Sequence, residues 1–125
     1  HPSLLSWLVR HHLGEGRTKE AERLLERHKA FYAAHPVYWD DWTTLHILRG
    51  QGEEAEAACL RSLDLDPSRI GPWQILGLLR GARGDWAGAE QAFTTLLQID
   101  PHFPRGRERL EDARARREGD ARPLP

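Results

Sequence analysis

A spacing of 34 residues recurs along this chain and limits its fold more than any other feature of the sequence. Gly50-Gln-Gly-Glu-Glu-Ala55 aligns with Gly84-Asp-Trp-Ala-Gly-Ala89. The register continues through Ala58 and Ala92, Cys59 and Phe93, Leu63 and Leu97, and Leu65 and Ile99, to Asp66-Pro67 and Asp100-Pro101. Backwards it pairs Trp39 with Trp73 and Trp42 with Leu76. One step earlier, Gly16-Arg-Thr-Lys-Glu-Ala21 falls under the same glycine and alanine, Leu25 under Cys59 and Phe31 under Leu65. A unit this short buries its apolar side only by stacking on its neighbours, so the period predicts a repeat array.

Each copy reads as two helices. In the third, Trp73, Leu76, Leu79 and Arg80 precede Gly81 and Gly84, a run at helical spacing followed by stop signals. Asp85 suits the start of the second helix, where a side-chain oxygen meets free backbone N–H groups and the positive end of the dipole. Ala89, Ala92, Phe93, Leu96 and Leu97 give that helix an apolar stripe. Asp100-Pro101 ends it, because proline disfavours helix in the preceding residue. Alternation of period two is absent throughout, and no sheet is expected.

Composition narrows the function. Charged residues make up 30% of the chain and the net charge is −1, so no bulk electrostatic term favours nucleic acid. Residues 36–67 carry two bases against seven acids, and residues 102–125 seven arginines against five acids. The acidic middle suits a basic partner or a solvated helix face. The arginine-rich end is interleaved with acids and has no aromatic platform, so a solvated cap is favoured over a nucleic-acid contact. No apolar run approaches the ~20 residues that span a bilayer, and no signal peptide is visible. The absence of Met reads as a trimmed piece of a longer protein. Single Cys59 excludes an internal disulfide and fits a reducing, cytoplasmic setting.

Trp73-x2-Leu76-Gly77, then Ala89-x3-Phe93, then Pro101 resembles the tetratricopeptide-repeat (TPR) signature at its offsets. The resemblance covers residues 2–101 and implies an all-α, right-handed α-solenoid. Three TPR helix hairpins would occupy residues 2–35, 36–69 and 70–103, followed by a C-terminal capping helix at 104–118. Residues 1–118 would form one domain, and residues 119–125 a frayed tail after Gly119. Small residues at Gly77 and Ala89 would let the paired helices approach, while Trp73 and Phe93 fill the gaps. Departures are concentrated in the earlier copies: Thr43 and Val9 replace the glycine, and Cys59 and Leu25 the phenylalanine. Pro36 arrives three positions late, so the second helix of the first copy is expected to run about a turn longer, ~4.5 Å.

In this family the first helix of each repeat lines the concave side. Carried over residue by residue, the partner-binding positions are Ser6, Trp7, Arg10 and Leu13 in the first copy. The second supplies Asp40, Asp41, Thr44 and Ile47, and the third Gln74, Ile75, Leu78 and Ala82. The resemblance implies a protein-interaction scaffold, not an enzyme, holding a protein or peptide partner by apolar anchors, with Asp40 and Asp41 orienting it. Packing against neighbouring helices is the competing role for Trp7, Ile47 and Leu78. The chaperone-tail subclass of the family uses Lys and Asn where this chain has Ser6 and Arg10, which argues against that ligand. No cofactor or metal is expected. His12 and His46 share a repeat position and are expected to lie near each other, but zinc wants two further ligands that no motif supplies. Cys59 falls where a buried small side chain belongs, and Glu53, Glu54 and Glu56 at a helix start are capping charge. Two alternatives remain: a TPR module of a larger enzyme or assembly complex with catalysis elsewhere, and a homo-oligomer joined through exposed Trp7, Tyr38 or Trp86.

Overall fold

A computed structural model describes residues 2–121, all helical or connecting, with no strand among them. The first and last stretches of the sequence, residue 1 and residues 122–125, including most of the expected tail, lie outside the described residues. The helices are α1 (Pro2–Gly14), α2 (Thr18–Arg27), α3 (Lys29–Tyr32), α4 (Pro36–Leu48), α5 (Gly52–Leu65), α6 (Ile70–Ala82), α7 (Trp86–Ile99) and α8 (Gly106–Ala121). They form two compact units, His1–Pro67 and Ser68–Pro125.

The same local chemistry closes every hairpin. Gly16, Gly50 and Gly84 have φ of 76°, 70° and 82°, the left-handed region that only glycine enters freely. In each turn the glycine N–H bonds a carbonyl three residues back, Leu13, Ile47 or Gly81, at 3.0–3.1 Å. The next N–H, from Arg17, Gln51 or Asp85, reaches His12, His46 or Arg80 at 2.8–2.9 Å. This pair of bonds satisfies carbonyls that a helix end leaves bare. Asp66 and Asp100 are extended ahead of their prolines and stop α5 and α7. Pro36 opens α4, where its missing N–H costs nothing.

In the first unit, Leu5, Val9 and Leu13 of α1, Ala21 and Leu25 of α2, and Tyr38 and Leu45 of α4 make one core. Ala55, Ala58, Cys59 and Leu63 are the buried apolar residues of α5. The long second helix expected in the first copy is instead broken at His28 into α2 and α3. Tyr38 donates its hydroxyl to the Leu25 carbonyl at 2.8 Å, taking the acceptor that an unbroken helix would offer to Lys29. Trp39 Nε1 donates to the Ala33 carbonyl at 2.8 Å and holds the extra residues against α4.

In the second unit, Ala89 and Phe93 of α7 pack with Leu110 and Ala113 of α8. A Cβ placed on Gly77 of α6 would stand 2.6 Å from the Phe93 ring, so α6 and α7 meet only because that side chain is a hydrogen. Asp85 caps α7, accepting from Gly88 N–H at 2.9 Å. Three arginines of α8 are solvent-exposed and also reach side chains of α7. Glu90 of α7 accepts from Arg114 Nε at 3.1 Å and from Arg117 Nε at 3.0 Å, and Arg116 lies 4.8 Å over the Trp86 ring. The capping helix also continues past its expected end at Glu118. Gly119 has open space around it, and one exposed helical glycine costs only about 1 kcal/mol.

Candidate partner-binding surfaces

On α1 and α4 of the first unit, the positions carried over from the sequence divide between surface and interior. Trp7 (64% exposed) and Ile47 (43%) present apolar side chains to solvent, beside the exposed Arg10 and Thr44. Leu13 is in the core, and Ser6 and Asp41 are buried with it. Asp41 is 1% exposed, and its Oδ1 accepts from Ser6 Oγ and from Arg10 Nε, both at 3.2 Å. It therefore ties α4 to α1 and does not face a guest. Half-buried Asp40 accepts from Ser62 Oγ of α5 at 2.6 Å. The two carboxylates assigned to orienting a partner are both engaged inside the unit.

Burial pushes the Asp41 carboxyl above its ordinary value, with the hydrogen bonds from Ser6 and Arg10 pulling the other way. A carboxyl with a raised folded pKa binds its proton more tightly when folded, so its contribution is full below the unfolded value and is lost as pH rises through the folded one. Asp41→Asn mimics the protonated form. Urea titrations should show its stability advantage over the parent growing from pH 3 to pH 7, and a constant or reversed gap would contradict the burial assigned to this group.

On α6 of the second unit, Gln74 and Ile75 are half-buried, whereas Leu78 (43% exposed) and Ala82 face solvent. The self-association surface is reduced. Tyr38 is buried at 3% exposure, because its ring belongs to the first core and its hydroxyl to Leu25. Trp86 is half-buried beneath Arg116.

A cavity of about 380 Å³ in the first unit, which the repeat register does not reveal, is walled by Tyr38, Trp39, Trp42 and His46 of α4 and by Glu54 and Arg61 of α5. Arg61 sits 4.6 Å above the Trp39 ring, and Trp42 and His46 stack at 5.4 Å. Its signal in the sequence is the spacing of Trp39, Trp42 and His46 by three and four, which puts them on one side of a helix. His12 and His46 have separate local partners: His12 meets His11 edge-on at 6.0 Å, and His46 Nδ1 lies 2.7 Å from Gln51 Oε1. Among the described residues no three His, Cys, Asp or Glu are grouped to hold a metal. Among them, too, no helix is long and apolar enough to cross a membrane.

No protein-family model matches the chain. Protein NPGR2 of Arabidopsis thaliana is 37% identical over 67 residues, which are 53% of this chain and 9% of that protein, so the match spans only a small part of the relative's length. Among solved structures, the Sgt2 TPR domain from Aspergillus fumigatus is similar at a TM-score of 0.81 and 20% identity, over 99% of this chain and 85% of that one. The second TPR domain of human RPAP3, solved with the HSP70 peptide SGPTIEEVD, is similar at 0.76 and 21% identity, over 91% of this chain and 98% of that one.

Proposed function

Starting from the TPR fold, which the helix hairpins and the likeness to solved TPR domains establish, we propose that the chain is a protein-interaction module that binds a segment of a partner protein. Each unit offers its own candidate contact: the solvent-facing sides of α1 and α4 in the first, and that of α6 in the second. The observation that carries this reading is the exposure of Trp7, Ile47 and Leu78 at first-helix positions. A peptide-bound neighbour of the same fold supports it. Apolar anchors supply the affinity, since central apolar contacts dominate such interfaces. Asp40 and Asp41 are held within the first unit and contribute through the shape of that surface.

The test is affinity capture from the native organism, read by quantitative mass spectrometry, with the parent chain and an Ile47→Asp, Leu78→Asp double variant. Partner recovery is expected to fall at least tenfold, about 1.4 kcal/mol, with helical circular dichroism unchanged. Equal recovery by both would remove the first-helix surfaces as the site. A second reading, a TPR module of a longer enzyme or assembly protein, draws on the small share of NPGR2 that the match covers. The parent reading frame decides it, by showing or lacking an adjoining catalytic domain.

A further inference from the structure

Within the second unit, a cavity of about 230 Å³ opens beside the solvent-facing side of α6. Its walls are Gly77, Leu78 and Ala82 of α6 and Trp86 and Phe93 of α7, with Arg109 and Asp112 reaching in from α8. Small-molecule sites usually run from about 300 Å³ upward, so this one suits a single side chain. Among the described residues, Arg109 is the one cation in the lining, and its Nε is shielded from water without a hydrogen-bond partner. A buried donor left unmet is costly, and more so when it carries charge. Asp112 does not meet it. Its carboxylate takes Arg116 Nε instead, at 3.1 and 3.2 Å to its two oxygens.

We infer that this cavity receives an acidic side chain, glutamate above all, from the partner segment lying on α6. Its methylene stem packs against Leu78 and Trp86, and its carboxylate takes the Arg109 guanidinium, a small rotation of which brings Nε to an oxygen. Charge-assisted bonds of this kind are about twice as strong as neutral ones. The assignment rests on the proposal that α6 faces a partner, and adds which chemistry the partner must carry there. It also gives the capping helix a part in recognition besides covering the last hairpin.

The experiment is an NMR titration of the full chain with N-acetyl-glutamate amide and, separately, N-acetyl-glutamine amide. The acid should shift the Arg109 Nε–H, the Trp86 indole N–H and the Leu78 methyls saturably, with the amide about tenfold weaker. Arg109→Gln should abolish the difference, whereas Arg107→Gln, at an exposed neighbour on the same helix, should keep it. Equal shifts by acid and amide overturn the inference, as do shifts spread alike over Arg105, Arg107 and Arg109. Tighter binding of N-acetyl-leucine would assign the cavity to a chain terminus and overturn the choice of a side chain. The surface itself is judged separately by the Ile47→Asp, Leu78→Asp capture. Loss of capture without acid–amide discrimination would sink only the Arg109 assignment.

Discussion

Gly77→Val is expected to destabilise the second unit by about 3 kcal/mol, at the upper end of what overpacking costs. The new Cβ would lie 2.6 Å from two carbons of the Phe93 ring, and 3.0 Å from a third. Neither neighbour yields easily. The ring is 4% exposed and packed against α8, and the glycine backbone is held within α6. Branching at Cβ adds a few tenths of a kcal/mol in a helix interior. Combining the change with Phe93→Leu removes the struck atoms, so the double variant should be more stable than Gly77→Val alone although Phe93→Leu by itself is destabilising. Urea unfolding followed by tryptophan fluorescence reads both. A loss below ~1 kcal/mol, or no rescue, would show that α6 and α7 do not meet at this point.

Leu45→Ala should cost about 2–5 kcal/mol, while Leu48→Ala, three positions on along α4, should stay within about 0.5 kcal/mol. Leu45 has no exposed surface and sits in the core with α1 and α2, whereas Leu48 is 55% exposed at the helix end. The two removals delete the same atoms, so their difference isolates burial from chemistry. Comparable losses, measured by urea titration of the two variants, would mean that α4 does not turn Leu45 into the core and Leu48 to solvent.

How far the site was legible depends on whether each residue's fate was settled by its neighbours in sequence or by another helix. Trp7, Ile47 and Leu78 came through as exposed positions because the family register carries helix faces directly. Leu13 and Asp41 occupy the same register and are interior, since α1 and α4 press together along them. Asp41 shows why charge alone misleads: a carboxylate tolerates burial when Ser6 and Arg10 bond it, and neither lies near it in sequence. The break at His28 was equally hidden, because its cause is a hydroxyl arriving from α4. Cavities escape a linear reading altogether. Arg109 becomes a candidate anchor only when α6, α7 and α8 of the second unit surround it.

The sequence by itself determined the hairpins: left-handed glycines at Gly16, Gly50 and Gly84, prolines after Asp66 and Asp100, and an apolar stripe between them act within a few residues and need no distant partner. Only the tertiary structure decided which polar groups were spent internally and which remained open to solvent. That choice depends on hydrogen bonds and desolvation between residues on different helices, as at Asp41 and at Glu90 with Arg114 and Arg117.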